Sequence, residues 1–155
     1  MSSPTAKQRA QWRVFLETAL ALIDILDAEL QAQRGISLGW YDVLVHLEDA
    51  PEGLGMTELA NRILFSKSGL TRVVDRMEAA GLVRRERPPE DRRVVRVLLT
   101  PSGNEALNAA RAVHRQGIQE HFVSHVDSAK LDALAEALHG VREHVRPLRP
   151  GRISR

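Results

Sequence analysis

The sequence predicts a mainly α-helical domain with one small β-hairpin set between its fourth and fifth helices. Three observations carry that expectation. Apolar residues return every three or four positions along most of the chain. One β-branched run, Val94-Val95-Arg96-Val97-Leu98-Leu99, follows Leu82-Val83-Arg84-Arg85-Glu86-Arg87 across a polar turn with two prolines. The length of 155 residues, with 43% apolar and 27% charged side chains, suits one globular domain and not a disordered chain.

The first helix spans residues 5 to 34, about 40 Å of rise. Its stripe is Trp12, Leu16, Leu20, Ile23, Leu26 and Leu30, and Gly35 ends it as a left-handed cap. That is longer than a domain of this size requires. Ser37 caps a second helix, Leu38 to Leu47, apolar most of the way round and so expected to be buried. A loop follows at Asp49-Ala50-Pro51-Glu52-Gly53. Thr57 is expected to cap a short third helix, with Leu59, Ala60, Ile63 and Leu64 inward, and Ser66 to cap a fourth. In the fourth, Leu70, Val73, Val74 and Met77 face inward, and Gly81 closes the helix with Leu82 folding back on Met77. After the hairpin, Thr100-Pro101 is a helix start, and the fifth helix is expected to reach about His125. The sixth carries Leu131, Leu134, Leu138, Val141 and Val145, a heptad seam made for another helix.

Composition excludes several classes of function. With no cysteine there is no disulfide, thiolate nucleophile, iron–sulfur cluster or thiol redox switch. Six aromatic residues leave the core to Leu, Val, Ile and Ala. No run reaches the roughly 18 apolar residues of a membrane helix, and no apolar segment follows the N-terminus, so a cytoplasmic location without a membrane partner is expected. There is no G-x-S-x-G, H-E-x-x-H, P-loop or G-x-G-x-x-G, so no enzyme and no cofactor is expected.

Charge is unevenly spread. Arg62 to Arg96 holds ten basic against five acidic side chains, +5, and leaves −3 on the remainder. A basic middle between acidic flanks points to an anionic partner; a solvated arginine-rich surface is the plain alternative.

Residues 57 to 99, two short helices with a tight turn and then a two-stranded hairpin, have the order of a winged helix-turn-helix. A recognition helix anchors its apolar side in the core and offers short or hydrogen-bonding side chains to base edges. Opposite the inner stripe of the fourth helix lie Lys67, Ser68, Thr71, Arg72, Asp75 and Arg76. Ser68 and Thr71 permit close approach, Arg72 has the reach and fork for a guanine edge, and Ser66 sits where helix N–H groups favour a phosphate. Arg84, Arg85, Arg87, Arg92, Arg93 and Arg96 crowd the hairpin, whose tip fits a minor groove, and Asp91 is placed to hold that tip or orient an arginine. An ordinary amphipathic helix and a solvated charged hairpin are the plain alternatives.

The segments Thr57-Glu58-Leu59-Ala60, Ser66 to Val83, Asp91-Arg92-Arg93 and Val97-Leu98-Leu99-Thr100-Pro101-Ser102-Gly103 resemble the multiple-antibiotic-resistance regulator (MarR) family of bacterial transcription factors. The resemblance covers about residues 10 to 145 in the family's element order. It implies one domain over 1–155: a winged core at 37–99 and dimerisation helices at 5–34 and 102–146. It implies a homodimeric repressor or activator on a pseudo-palindromic operator in double-stranded DNA, with Ser68, Thr71 and Arg72 in the major groove and Arg93 in the minor groove. Ser66, Lys67, Arg76, Arg85 and Arg92 complete the expected DNA-binding set.

Family members often release DNA when a small phenolic or aromatic acid enters a cleft beside the dimerisation helices. Trp12, Trp40, Tyr41 and His46 are the residues suited to line it, although Trp12 and Tyr41 lie on apolar faces and read first as core. His121 and His125, at i and i+4 with His114 a heptad before, have the spacing of two zinc ligands but no accompanying carboxylates, so no metal site is assigned. A winged-helix protein-interaction module and a metal-responsive regulator are the alternative functions.

Overall fold

The structure, a computed structural model, describes residues 3–64, 69–89 and 91–145. Its elements run α1 (Ala6–Arg34), α2 (Leu38–Glu48), β1 (Leu54–Gly55), α3 (Met56–Arg62), α4 (Leu70–Ala79), β2 (Val83–Glu86), β3 (Arg96–Leu99), α5 (Pro101–His121), a 3-10 turn (Val123–His125) and α6 (Ser128–Val145). Thr5 caps α1, a feature not predicted from the sequence: Thr5 Oγ1 accepts Gln8 N–H at 3.2 Å, and Gln8 Oε1 accepts Thr5 N–H at 2.8 Å. Ser37 Oγ caps α2 by accepting Trp40 N–H at 3.1 Å.

The sheet is antiparallel in the order β1-β3-β2, with Leu54 opposite Val97 and Val83 opposite Leu99. The sequence predicts only two of these strands. The two residues of β1 are too short to show a period-2 pattern, and only pairing with β3 identifies them. This strand also moves the start of α3. The chain passes from β1 directly into helix, so Thr57 lies inside α3, and Glu58 Oε2 accepts Gly55 N–H at 2.9 Å in place of the expected Thr57 cap.

One core joins α2, α3, α4, the sheet and α5. Leu44, Leu47, Leu59, Val74, Met77, Val83, Val97 and Leu107 are fully buried in it. From the long α1 only Leu30 is buried, and from α6 nothing. Among the described residues no helix is long and apolar enough to cross a membrane.

The end of α4 is closed as its sequence predicts. Gly81 N–H donates to Glu78 O and Leu82 N–H to Met77 O, both at 2.9 Å, with Gly81 at φ 75°. The Thr100 hydroxyl then ties three elements together. It donates to Gly81 O at 2.6 Å and accepts Gly103 N–H at 2.9 Å, joining the end of α4, the end of β3 and the start of α5. A Cβ at Gly103 would collide with the Leu82 carbonyl oxygen, so only glycine permits this approach.

Helix α5 ends at His121, short of the expected His125. Phe122 leaves helical geometry (φ −128°, ψ −63°), and the Ser124 hydroxyl takes the Gln119 carbonyl at 2.7 Å.

Candidate nucleic-acid interface

Helix α4 is strongly two-sided. Leu70, Val74 and Met77 are buried, Val73 packs against the core, and Thr71, Arg72, Asp75 and Arg76 are exposed. The four-residue return of the apolar set produces this, because positions i, i+4 and i+7 share a face. Gly69 precedes the helix at φ 84°, so α4 begins at Leu70, later than a Ser66 cap would place it. Ser66, Lys67 and Ser68, three of the expected DNA contacts, lie outside the described residues.

The wing is a short ribbon, and Asp91 near its tip accepts two turn hydrogen bonds. Asp91 Oδ1 accepts Arg93 N–H at 3.0 Å, and Asp91 O accepts Val94 N–H at 3.2 Å. The Asp91 side chain thus closes a turn on its own backbone. It shapes the loop from which Arg92 and Arg93, both exposed, project. Arg87 Nη1 donates to Arg92 O at 3.2 Å, and Arg96 Nη1 to Glu52 O at 3.1 Å, so two wing arginines are engaged with backbone. Arg84 pairs with Glu86 along the same strand.

Arg85 departs from its expected role. Its guanidinium, in β2, donates to Glu78 Oε2 at 2.6 Å and to Asp75 Oδ1 at 2.7 Å, while its backbone N–H donates to Glu78 Oε1 at 2.9 Å. Burial lowers its pKa, but the hydrogen bonds it donates to Glu78 and Asp75, with their negative charges, outweigh that, so it is held above its ordinary value. With both prongs occupied by carboxylates of α4, Arg85 locks the wing root to the helix and does not present a free fork to a phosphate. The sequence shows a basic residue at a suitable place; which basic residues have acidic neighbours in space is a tertiary fact.

The four residues expected to line an effector cleft do not come together. Trp12 is 60% exposed and tilts against Phe15, with ring centroids 5.8 Å apart. It lies about 27 Å along α1 from Leu30, where that helix enters the core. Trp12 is therefore neither core nor beside the other three. Trp40, Tyr41 and His46 share α2. Tyr41 is buried, with its ring centroid 4.6 Å from that of His114 on α5, and burial pushes the His114 pKa down. Alongside, Arg111 of α5 reaches Glu48 of α2 at 2.5 Å, which raises the Arg111 pKa. His114 and Arg111 are neighbours of this face that sequence spacing did not bring to it.

The histidine pair loses its common helical face. His121 ends α5, and His125 lies in the 3-10 turn. His121 Nε2 sits 2.7 Å from Glu29 Oε1 on α1, and that hydrogen bond raises its pKa. Among the described residues no cluster of three His, Asp or Glu side chains is arranged to hold a metal ion.

Comparison with known proteins agrees with this geometry. A model of the MarR family matches residues 34–94. Over 122 residues the chain is 31% identical to the HTH-type transcriptional repressor YetL of Bacillus subtilis (strain 168), covering 74% of this chain and 73% of that one. The solved structure of AbsC, a MarR family transcriptional regulator from Streptomyces coelicolor, superposes with a TM-score of 0.84 at 32% identity, over 94% of this chain and 99% of that one. Sco3205, another MarR family regulator from the same organism, solved in complex with DNA, matches with a TM-score of 0.84 at 32% identity, over 92% of this chain and 94% of that one. These relatives are transcription regulators and not enzymes. With its winged core, its two-sided α4 and this likeness along nearly its whole length, the chain belongs to the MarR family of DNA-binding transcription regulators.

Proposed function

We propose that the chain acts as a homodimeric repressor on a pseudo-palindromic operator. The observation that carries this reading is the division of α4, with Leu70, Val74 and Met77 in the core and Thr71, Arg72 and Arg76 open to solvent beside an arginine-tipped wing. In this reading Ser68, Thr71 and Arg72 enter the major groove, Ser66 meets a phosphate, Arg93 enters the minor groove, and Lys67, Arg76 and Arg92 add further contacts to the DNA. The DNA in the Sco3205 structure favours duplex DNA over an acidic protein surface as the partner, and the name of YetL favours repression.

Dimerisation rests on unspent apolar surface. Leu16, Leu20 and Ile23 of α1 and Leu134, Val141 and Val145 of α6 are all exposed in the single chain. Contiguous apolar faces of this kind are covered in working proteins. A two-fold pair would set recognition helices about 34 Å apart, one turn of DNA. A small aromatic acid settling near Trp40, Tyr41 and His46 is the proposed release signal, supported by the aromatic pair Tyr41 and His114 between α2 and α5. Action on DNA in the cytoplasm is part of the same reading.

The test joins light scattering with a salt titration on the DNA upstream of the protein's own gene. A dimer, and a log–log salt slope of about −0.9 per phosphate contact, are expected. A monomer, or binding indifferent to salt, would overturn the proposal. Loss of the bound complex on adding a phenolic acid tests the release signal.

A further inference from the structure

Asp42 is buried, 7% exposed, and it belongs to α2, outside the helix-turn-helix itself. Its Oδ2 accepts the N–H of Leu64 at 2.6 Å, 22 residues further along the chain. A carboxyl group taken out of water is retained only where its oxygens find hydrogen-bond partners. The place of this bond matters. Helix α3 ends at Arg62, Ile63 leaves helical geometry at ψ 145°, and Leu64 follows it, five residues before Gly69 opens α4. The Leu64 side chain is 70% exposed, so burial of that side chain does not hold the chain at this residue. Its backbone is held instead, from α2, whose Leu44 and Leu47 are fixed in the core. His46 Nε2, one helical turn on, lies 3.6 Å from Asp42 Oδ1.

We propose that Asp42 is a positioning residue for base reading: by holding Leu64 N–H it fixes the exit of α3, and with it the point from which the chain runs to the recognition helix α4. The proposal rests on α4 being the element that reads DNA. Asp42 touches no DNA itself and removes no phosphate contact when lost.

The test compares Asp42→Ala and Asp42→Asn with the unmodified protein in three measurements: amide hydrogen exchange at Leu64, affinity for the operator, and affinity for a scrambled duplex at low salt. In Asp42→Ala the Leu64 amide should exchange at least about tenfold faster, and operator affinity should fall about tenfold or more, with scrambled-duplex affinity and salt slope unchanged. Asp42→Asn keeps an acceptor oxygen and should retain operator affinity within about threefold. An equal fall on both duplexes marks a merely structural role and overturns the proposal. So does unchanged exchange at Leu64, or Asp42→Asn behaving like Asp42→Ala. If Asp42→Ala does not fold, Asp42→Asn binding the operator as poorly as a scrambled duplex overturns it alone. If the unmodified protein prefers no duplex while Leu64 still loses protection, the DNA-reading assignment fails and the anchor stands.

Discussion

The guanidinium of Arg85 and the carboxylate of Asp75 meet at 2.7 Å, joining the root of the wing to the outer face of α4. Glu78, three residues beyond Asp75 on the same side of α4, completes the clasp at 2.6 Å. The clasp fixes the angle between the helix and the ribbon. It also sets a positive charge against two carboxylates on the side of α4 expected to meet the phosphates. Arg85→Ala should therefore weaken operator binding through geometry and repulsion while leaving the salt slope within about half a unit, whereas a true phosphate contact would take away about 0.9. Its effect on thermal stability should be about 1 kcal/mol or less, because the acids are partly exposed. A salt titration beside a thermal melt checks both.

Arg72 and Arg93 should separate by the kind of contact each makes. Arg72→Ala is expected to cost about 1–3 kcal/mol at one base pair and to relax preference there. Arg93→Ala should weaken all duplexes and lower the salt slope by about one unit. Binding measured on a set of single-base operator variants at two salt concentrations tells them apart. Equal losses of Arg72→Ala on every sequence would make Arg72 a backbone contact.

The apolar face of α1 gives a prediction about assembly. Leu20 is 53% exposed in the single chain, so Leu20→Glu should fold normally as a monomer. Burying an unpaired carboxylate in the pair is costly, so the variant should be monomeric at concentrations where the unmodified chain is dimeric, with operator affinity reduced at least about tenfold. Light scattering and a gel shift on the same sample decide it.

Two glycines should be intolerant of a methyl group for different reasons. At Gly81 the backbone lies at φ 75°, and Gly81→Ala should cost about 1 kcal/mol through strain alone. At Gly103 the collision is with the Leu82 carbonyl, and Gly103→Ala should cost about 1–3 kcal/mol by pushing α5 off the sheet. Denaturant midpoints measure both.

The two perturbed histidines should act with opposite sign on stability against pH. Glu29 raises the His121 pKa above its ordinary 6.5. That contribution is complete below 6.5 and is lost as pH rises through the raised value. Burial lowers the His114 pKa, so the unfolded chain binds the extra proton and stability rises with pH up to about 6.5. His121→Gln should remove the fall above 6.5, and His114→Gln the rise below it. Melting temperatures from pH 5 to pH 8 read both slopes.

What the sequence by itself determined was local and periodic: the stripe of α4, the glycine cap at Gly81, the Thr100 cap of α5 and the crowd of arginines on the ribbon. Each depends on residues a few positions apart, where spacing alone sets which side chains meet. The tertiary structure decided the rest. It assigned Arg85 to Asp75 and Glu78, added the strand at Leu54, moved the start of α3, carried Trp12 away from Tyr41, and brought Asp42 to Leu64. Most of these are relations between different elements, where the partner of a charge or a backbone N–H is set by how whole elements pack, and no periodicity along the chain records it.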